Sequence, residues 1–177
     1  RINDETREKQ AWVEGTDPIR AVAVYHSEAT LLDAASRDDE GMAGKRTTTL
    51  IDHFRRDSIP CDFLPDWRCT NEVLREYKLV VVSNQTCLGE AEIEAFGRFV
   101  EAGGTLLAAG ECGTRNHHGK AREQCPIFDL LGLRYEGIST QYETNGVRGY
   151  VPWVDHPYFR HLRNVEYNLW NNWPMVT

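Results

Sequence analysis

One stretch constrains the fold more than any other. Leu79-Val80-Val81-Val82 is apolar without a break, and a second apolar run, Leu106-Leu107-Ala108-Ala109, follows some twenty-five residues on. A strand that is apolar on both sides has to be covered on both faces, as in a parallel sheet sandwiched between helices. Between the two runs, 90–101 places Ile93, Phe96 and Val100 at helical spacing, and Gly103-Gly104 ends that pattern. Strand, helix and strand at this spacing make a crossover unit, which joins parallel neighbours with a right-handed connection.

The rest of the chain extends the alternation. Residues 19–25 read as a first strand ending at His26-Ser27-Glu28, with a polar loop over 36–44. A helix is expected over 45–57, with Leu50, Ile51 and Phe54 on one stripe and Pro60 after it. Residues 61–64 read as a second strand. A helix over 67–77, capped by Thr70 or Asn71, turns Val73 and Leu74 inward. Residues 78–82 and 105–109 are the third and fourth strands. Beyond Gly110 the pattern weakens to a polar loop over 115–120, a short helix over 126–131 stopped by Gly132, and β-formers over 134–154 that suggest an antiparallel extension. One further helical turn is expected over 157–162. Residues 1–18 read as a lead-in segment or linker with a short helix over 5–13, and 19–177 as one α/β domain with a doubly wound parallel sheet.

Charge and cysteine usage narrow the function. The chain has 177 residues and a formal net charge of -7, which argues against nucleic acid and against an anionic membrane surface. No apolar run approaches the roughly 18 residues of a membrane span. The five cysteines, Cys61, Cys69, Cys87, Cys112 and Cys125, are odd in number and form no Cys-x-x-Cys pair. Reduced thiols, and hence a cytoplasmic location, are the expectation. The chain begins with Arg1 and a charged segment, so a domain cut from a longer protein is expected.

Four blocks together resemble a known family. They are Val22-Ala23-Val24-Tyr25 with Ser27-Glu28; Tyr77-Lys78-Leu79-Val80-Val81-Val82 with Asn84 and Leu88; Phe99 through Leu107 with its Gly103-Gly104 pair; and Leu130-Leu131-Gly132-Leu133 after a charged loop holding Arg122. Their order, over about residues 19–135, resembles the trimerisation domain of family 42 β-galactosidases, in the class I glutamine amidotransferase-like superfamily. The resemblance implies a flavodoxin-like fold. It also implies a non-catalytic accessory or oligomerisation role, with the catalytic barrel elsewhere and no amidotransferase triad. The implied partners are its own catalytic domain or neighbouring subunits, as a homo-oligomer.

Several residues remain candidates for chemistry. Gly110-Glu111-Cys112-Gly113 follows a parallel strand, where amidotransferases carry a nucleophilic Cys in a Gly-x-Cys-x-Gly elbow; here Thr114 replaces the second Gly. As an alternative, Cys112 with His26 and Glu28 would make a cysteine hydrolase or amidotransferase relative. Because each follows a strand, His26, Glu28, Asn84, Glu111 and Cys112 are expected to gather in one crevice at the carboxyl edge, where a small ligand would be a further alternative. His117-His118 reads as a solvated loop, since adjacent histidines point apart, and no metal is nominated. No cofactor is nominated either, because no glycine-rich phosphate loop follows Tyr25. Trp153, Trp170 and Trp173 concentrate aromatic surface in the last third and are the candidate interface.

Overall fold

The computed structural model describes residues 2–36, 40–138, 149–151, 157, 167–169 and 174–176. Four strands form one all-parallel sheet: β1 (Val22–His26), β2 (Cys61–Pro65), β3 (Leu79–Ser83) and β4 (Thr105–Ala109), in the order β2-β1-β3-β4. This is the flavodoxin-like doubly wound arrangement. The chain steps outward from β1 to β2, then returns across β1 to β3. The carboxyl ends of β1 and β3 therefore face a topological switch point.

The helices are α1 (Ile2–Val13), α2 (Glu28–Ser36), α3 (Glu40–Arg56), α4 (Asn71–Leu74), α5 (Glu90–Glu101) and α6 (Pro126–Leu130). The pleat sends alternate residues to opposite faces. Ala23, Tyr25, Val80 and Val82 join Leu74, Ala95, Phe96, Phe99, Ile127 and Phe128 in the main core. Tyr25 meets Phe96 edge to face, 5.2 Å between centroids. Burial of one such ring stabilises by about 1.5–3 kcal/mol. Val22, Val24 and Val81, also buried, lie on the face where α3 brings Ile51 and Thr47. Both faces of the central strands are thus covered, which is why they could be apolar throughout.

The core elements lie where the sequence places them, and three local expectations are corrected. Glu40 to Gly44 belongs to α3 rather than to the polar loop read over 36–44. Helix α2 went unread, because Thr30, Asp33 and Ser36 dilute its apolar stripe; only Ala29, Thr30 and Ala34 are buried. The helix expected over 67–77 is instead a 3-10 turn, Asp66–Arg68, followed by the single turn of α4. Thr70 causes that break, since it adopts extended backbone to cap α4 and accepts a hydrogen bond from Val73 N.

The antiparallel extension is present as two pairs. Strand β5 (Tyr135–Ile138) pairs with β8 (Pro174–Val176), and β6 (Gly149–Val151) with β7 (Tyr167–Leu169). The partners β7 and β8 lie beyond the span the sequence suggested. Trp153, Trp170 and Trp173 lie outside the described residues, as does all but Pro157 of the turn expected over 157–162. Among the described residues no helix is long and apolar enough to cross a membrane, and all five cysteines are free thiols.

Candidate functional site at the carboxyl edge

The loops after β1, β3 and β4 converge, and most of their polar groups bond one another. Ser27 caps α2: its Oγ accepts from Thr30 N at 3.1 Å and donates to Cys87 O at 2.8 Å. Gln85, only 1% exposed, accepts from Ser27 N through Oε1 at 2.8 Å. Its Nε2 donates to Ser83 O at 3.0 Å and Thr47 Oγ1 at 3.4 Å. Cys87 N donates to Thr30 Oγ1 at 2.9 Å. The polar side chains Ser27, Thr30, Thr47 and Gln85 are buried, and their bonds tie the ends of β1 and β3 to α2 and α3 in one dry cluster.

The elbow after β4 is closed in the same way. Asn84 at φ 52° and Gly110 at φ 71° approach so closely that a Cβ on Gly110 would collide with the Asn84 side-chain oxygen. Gly113 N then donates to Gln85 O, and Arg115 N to Thr86 O, both at 2.9 Å. Cys112 is wholly buried, and its thiol donates to Ala109 O at 3.2 Å and Val82 O at 3.3 Å. Burial pushes that thiol up to about 11, so it stays protonated at neutral pH. Cys125 Sγ donates in turn to Cys112 O at 2.8 Å. Arg122, from the charged loop, bonds Leu88 O at 3.0 Å and pairs with Glu90 at 2.6 Å, clamping this loop to the start of α5.

The five strand-end residues occupy distinct surroundings. His26 lies on the α3 face, where Nδ1 meets Thr47 Oγ1 at 3.2 Å and the ring packs on Phe63. Burial holds its imidazole below the ordinary range and hence neutral. Cys112 belongs to the buried core that holds Phe96 and Ile127, and its thiol bonds backbone carbonyls of β3 and β4. Asn84 is half-buried against Gly110, and Glu111 is half-buried beside the elbow. Glu28, exposed at the start of α2, is the one of the five that lines the adjoining cavity.

That cavity, of about 720 Å³, opens beyond the ends of β1 and β2. Asp66, Trp67, Glu92, His117 and His118 line it together with α2 residues. Asp66 Oδ2 accepts from Glu28 N at 2.8 Å, so a carboxylate already sits on the amino end of α2, where such folds bind phosphate. Sequence reasoning missed Asp66 and Trp67, because it assigned 67–77 to a continuous helix. The Asp-Trp pair directly after a strand was the available signal. Among the described residues no group of three His, Cys, Asp or Glu is arranged to hold a metal ion.

This fold, with the elbow after β4 closed by internal bonds, defines a flavodoxin-like α/β domain. No protein-family model and no curated protein sequence matches the chain. Among solved structures it is similar to a GH42 β-galactosidase from G. stearothermophilus, with a TM-score of 0.70 and 19% identity over 98% of this chain and 24% of that one. A β-galactosidase from Bacillus circulans sp. alkalophilus aligns with a TM-score of 0.64 and 16% identity over 84% of this chain and 22% of that one. One from Bifidobacterium adolescentis aligns with a TM-score of 0.53 and 19% identity over 65% of this chain and 54% of that one. The chain spans about a quarter of the length of the first two. At these identities the likeness defines the fold.

Proposed function

We propose that this chain is a non-catalytic accessory domain of a glycoside-hydrolase-like protein, serving association with its own catalytic domain or with neighbouring subunits. The observation that carries the reading is coverage: nearly the whole chain matches one part, 24%, of a β-galactosidase polypeptide. The closed elbow supports the non-catalytic half. A thiolate nucleophile needs an ionisable sulfur and a base within reach. Cys112 is instead buried and protonated, its thiol bonds backbone carbonyls, and the His26 ring meets Thr47 Oγ1. The kinship with amidotransferases is then one of architecture.

Trp153, Trp170 and Trp173 are the proposed association surface, and a trimer is the assembly this reading favours. Indole rings bury much area at low entropy cost and so anchor interfaces. Trp170→Ala and Trp173→Ala should weaken assembly of the full-length protein in light scattering and leave the thermal melt of the 177-residue chain nearly unchanged. Unchanged assembly with a collapsed melt would assign those rings to the core and end the interface reading. The 177-residue chain should not hydrolyse chromogenic galactosides. Turnover abolished by changing one carboxylate would overturn the non-catalytic reading.

A further inference from the structure

Helix α1 stands apart from the sheet it precedes. Every side chain from Asp4 to Ile19 is exposed. Thr16 N donates to Val13 O at 3.3 Å to close the helix, and Gly15, at φ 75°, turns the chain out of it. Among the described residues, the first backbone bond from this segment to the rest of the domain is at Ala21, whose carbonyl accepts from Lys78 N and Leu79 N. A helix of 12 residues is marginal in water when nothing covers it. The exposed Glu5–Lys9 pair, at 2.8 Å, adds little.

The apolar residues of this segment are gathered at one end. Trp12 is 80% exposed, Ile19 75% and Val13 66%; among the described residues, Trp12 and Ile19 are the two most exposed large apolar side chains. The earlier turns are charged instead, with Asp4, Glu5, Arg7, Glu8 and Lys9. No apolar stripe runs along the helix to lie in a groove. Whatever covers these side chains therefore meets the last turn and the tether end-on. Single exposed apolar residues are ordinary, but Trp12, Val13 and Ile19 stand together on a segment that buries nothing.

The charge at that end is a separate observation. The carboxyl end of a helix favours cations, yet the last turn of α1 has no basic residue, and Glu14 and Asp17 follow it. Arg20, the next cation along the chain, is paired with Glu76. A partner with a basic rim supplies the missing charge, whereas a second copy would bring two acidic ends together. The likeness to a GH42 β-galactosidase supports an occupant in the same polypeptide. The match covers 98% of this chain, and what it omits is shorter than α1, so the helix lies within the matched span. That span is 24% of the other polypeptide, which leaves most of that molecule to cover it. We propose that the last turn of α1 and its tether dock, through Trp12, Val13 and Ile19, in an apolar pocket with a basic rim on the remainder of the same polypeptide. This inference rests on the accessory-domain reading and names the surface that meets the rest of its own chain.

Hydrogen exchange of the α1 amides, compared between the full-length protein and the 177-residue chain, is the test. In the 177-residue chain they should exchange nearly as fast as in an unfolded peptide. In the full-length protein they should exchange about a hundredfold more slowly, whatever the protein concentration. Trp12→Ala in the full-length protein should restore fast exchange in α1 and leave the β1 amides slow, while Trp12→Phe should keep most of the protection. Fast exchange in the unmutated full-length protein overturns the proposal, and this comparison decides even where Trp12→Ala fails to fold. Equal protection in the 177-residue chain overturns it too, since α1 would then need no further domain. Protection lost on dilution would put the occupant on a neighbouring subunit, and protection that survives Trp12→Ala would put the contact elsewhere on the helix; either result overturns it. A full-length polypeptide no longer than this chain would end the accessory-domain reading and this inference together. A longer one whose α1 exchanges freely ends this inference alone.

Discussion

At the ends of β1, β3 and β4, polar side chains turn inward and bond one another; at the ends of β1 and β2, they stand in solvent around a cavity. Ser27 and Glu28 are consecutive residues, yet the first is 1% exposed and belongs to the dry cluster, while the second is exposed on the cavity wall. The difference teaches how to read polar residues at a sheet edge. A buried group with every bond met holds the fold and has nothing left to offer a ligand. A group that keeps its water can exchange it for a partner. The elbow after β4 falls in the first class, and the Asp66–Trp67 corner in the second.

The largest effect that tests this contrast is at Gln85. Gln85→Leu keeps the apolar part of the side chain and strands Ser27 N and Ser83 O in a dry site, so urea denaturation should show a loss of about 3–4 kcal/mol. A loss below about 1 kcal/mol would mean that water already serves these groups, and the closed region would not be closed.

Alkaline pH should come next. Burial raises the Cys112 thiol to about 11 in the folded chain, from an ordinary 9.0. The unfolded thiol therefore ionises first as pH rises, and folding is opposed. This contribution to stability is intact below about pH 9 and is lost by the time pH passes about 11, a decline of about 2–3 kcal/mol. Cys112→Ala should flatten that part of the profile. Identical profiles for the two proteins would show a thiol that water reaches.

The smallest effects belong to the open region. Asp66→Ala removes the acceptor for Glu28 N and should cost about 1 kcal/mol, as for loss of a helix cap. Trp67→Ala removes an indole that is 72% exposed and should change stability by less than about 0.5 kcal/mol. A large destabilisation at Trp67 would place its ring in a packed core and erase the contrast between the two regions.

The amino-acid sequence alone determined the sheet and its principal crossover. Apolar runs at 79–82 and 106–109, with Ile93, Phe96 and Val100 between them, mark two strands joined by a helix, and α5 and β4 have the boundaries read from the pattern. Only β3 of the two strands is deeply buried, however; β4, at the edge of the sheet, leaves Leu107 50% exposed. The carboxyl edge was legible as a place, since residues that follow parallel strands arrive there together. Its division into closed and open parts was not. That depends on distances between residues far apart in the chain, such as Gln85 to Ser27 and Asp66 to Glu28, and no local period encodes them. Helix α2 escaped for a related reason. Its small buried residues and polar positions form a weak stripe, and it is held by capping bonds and by contact with α3 rather than by its own pattern. Local periodicity records which side of an element is buried. Which polar groups keep their water is decided only when distant loops meet, because satisfaction of a hydrogen bond is a property of the pair.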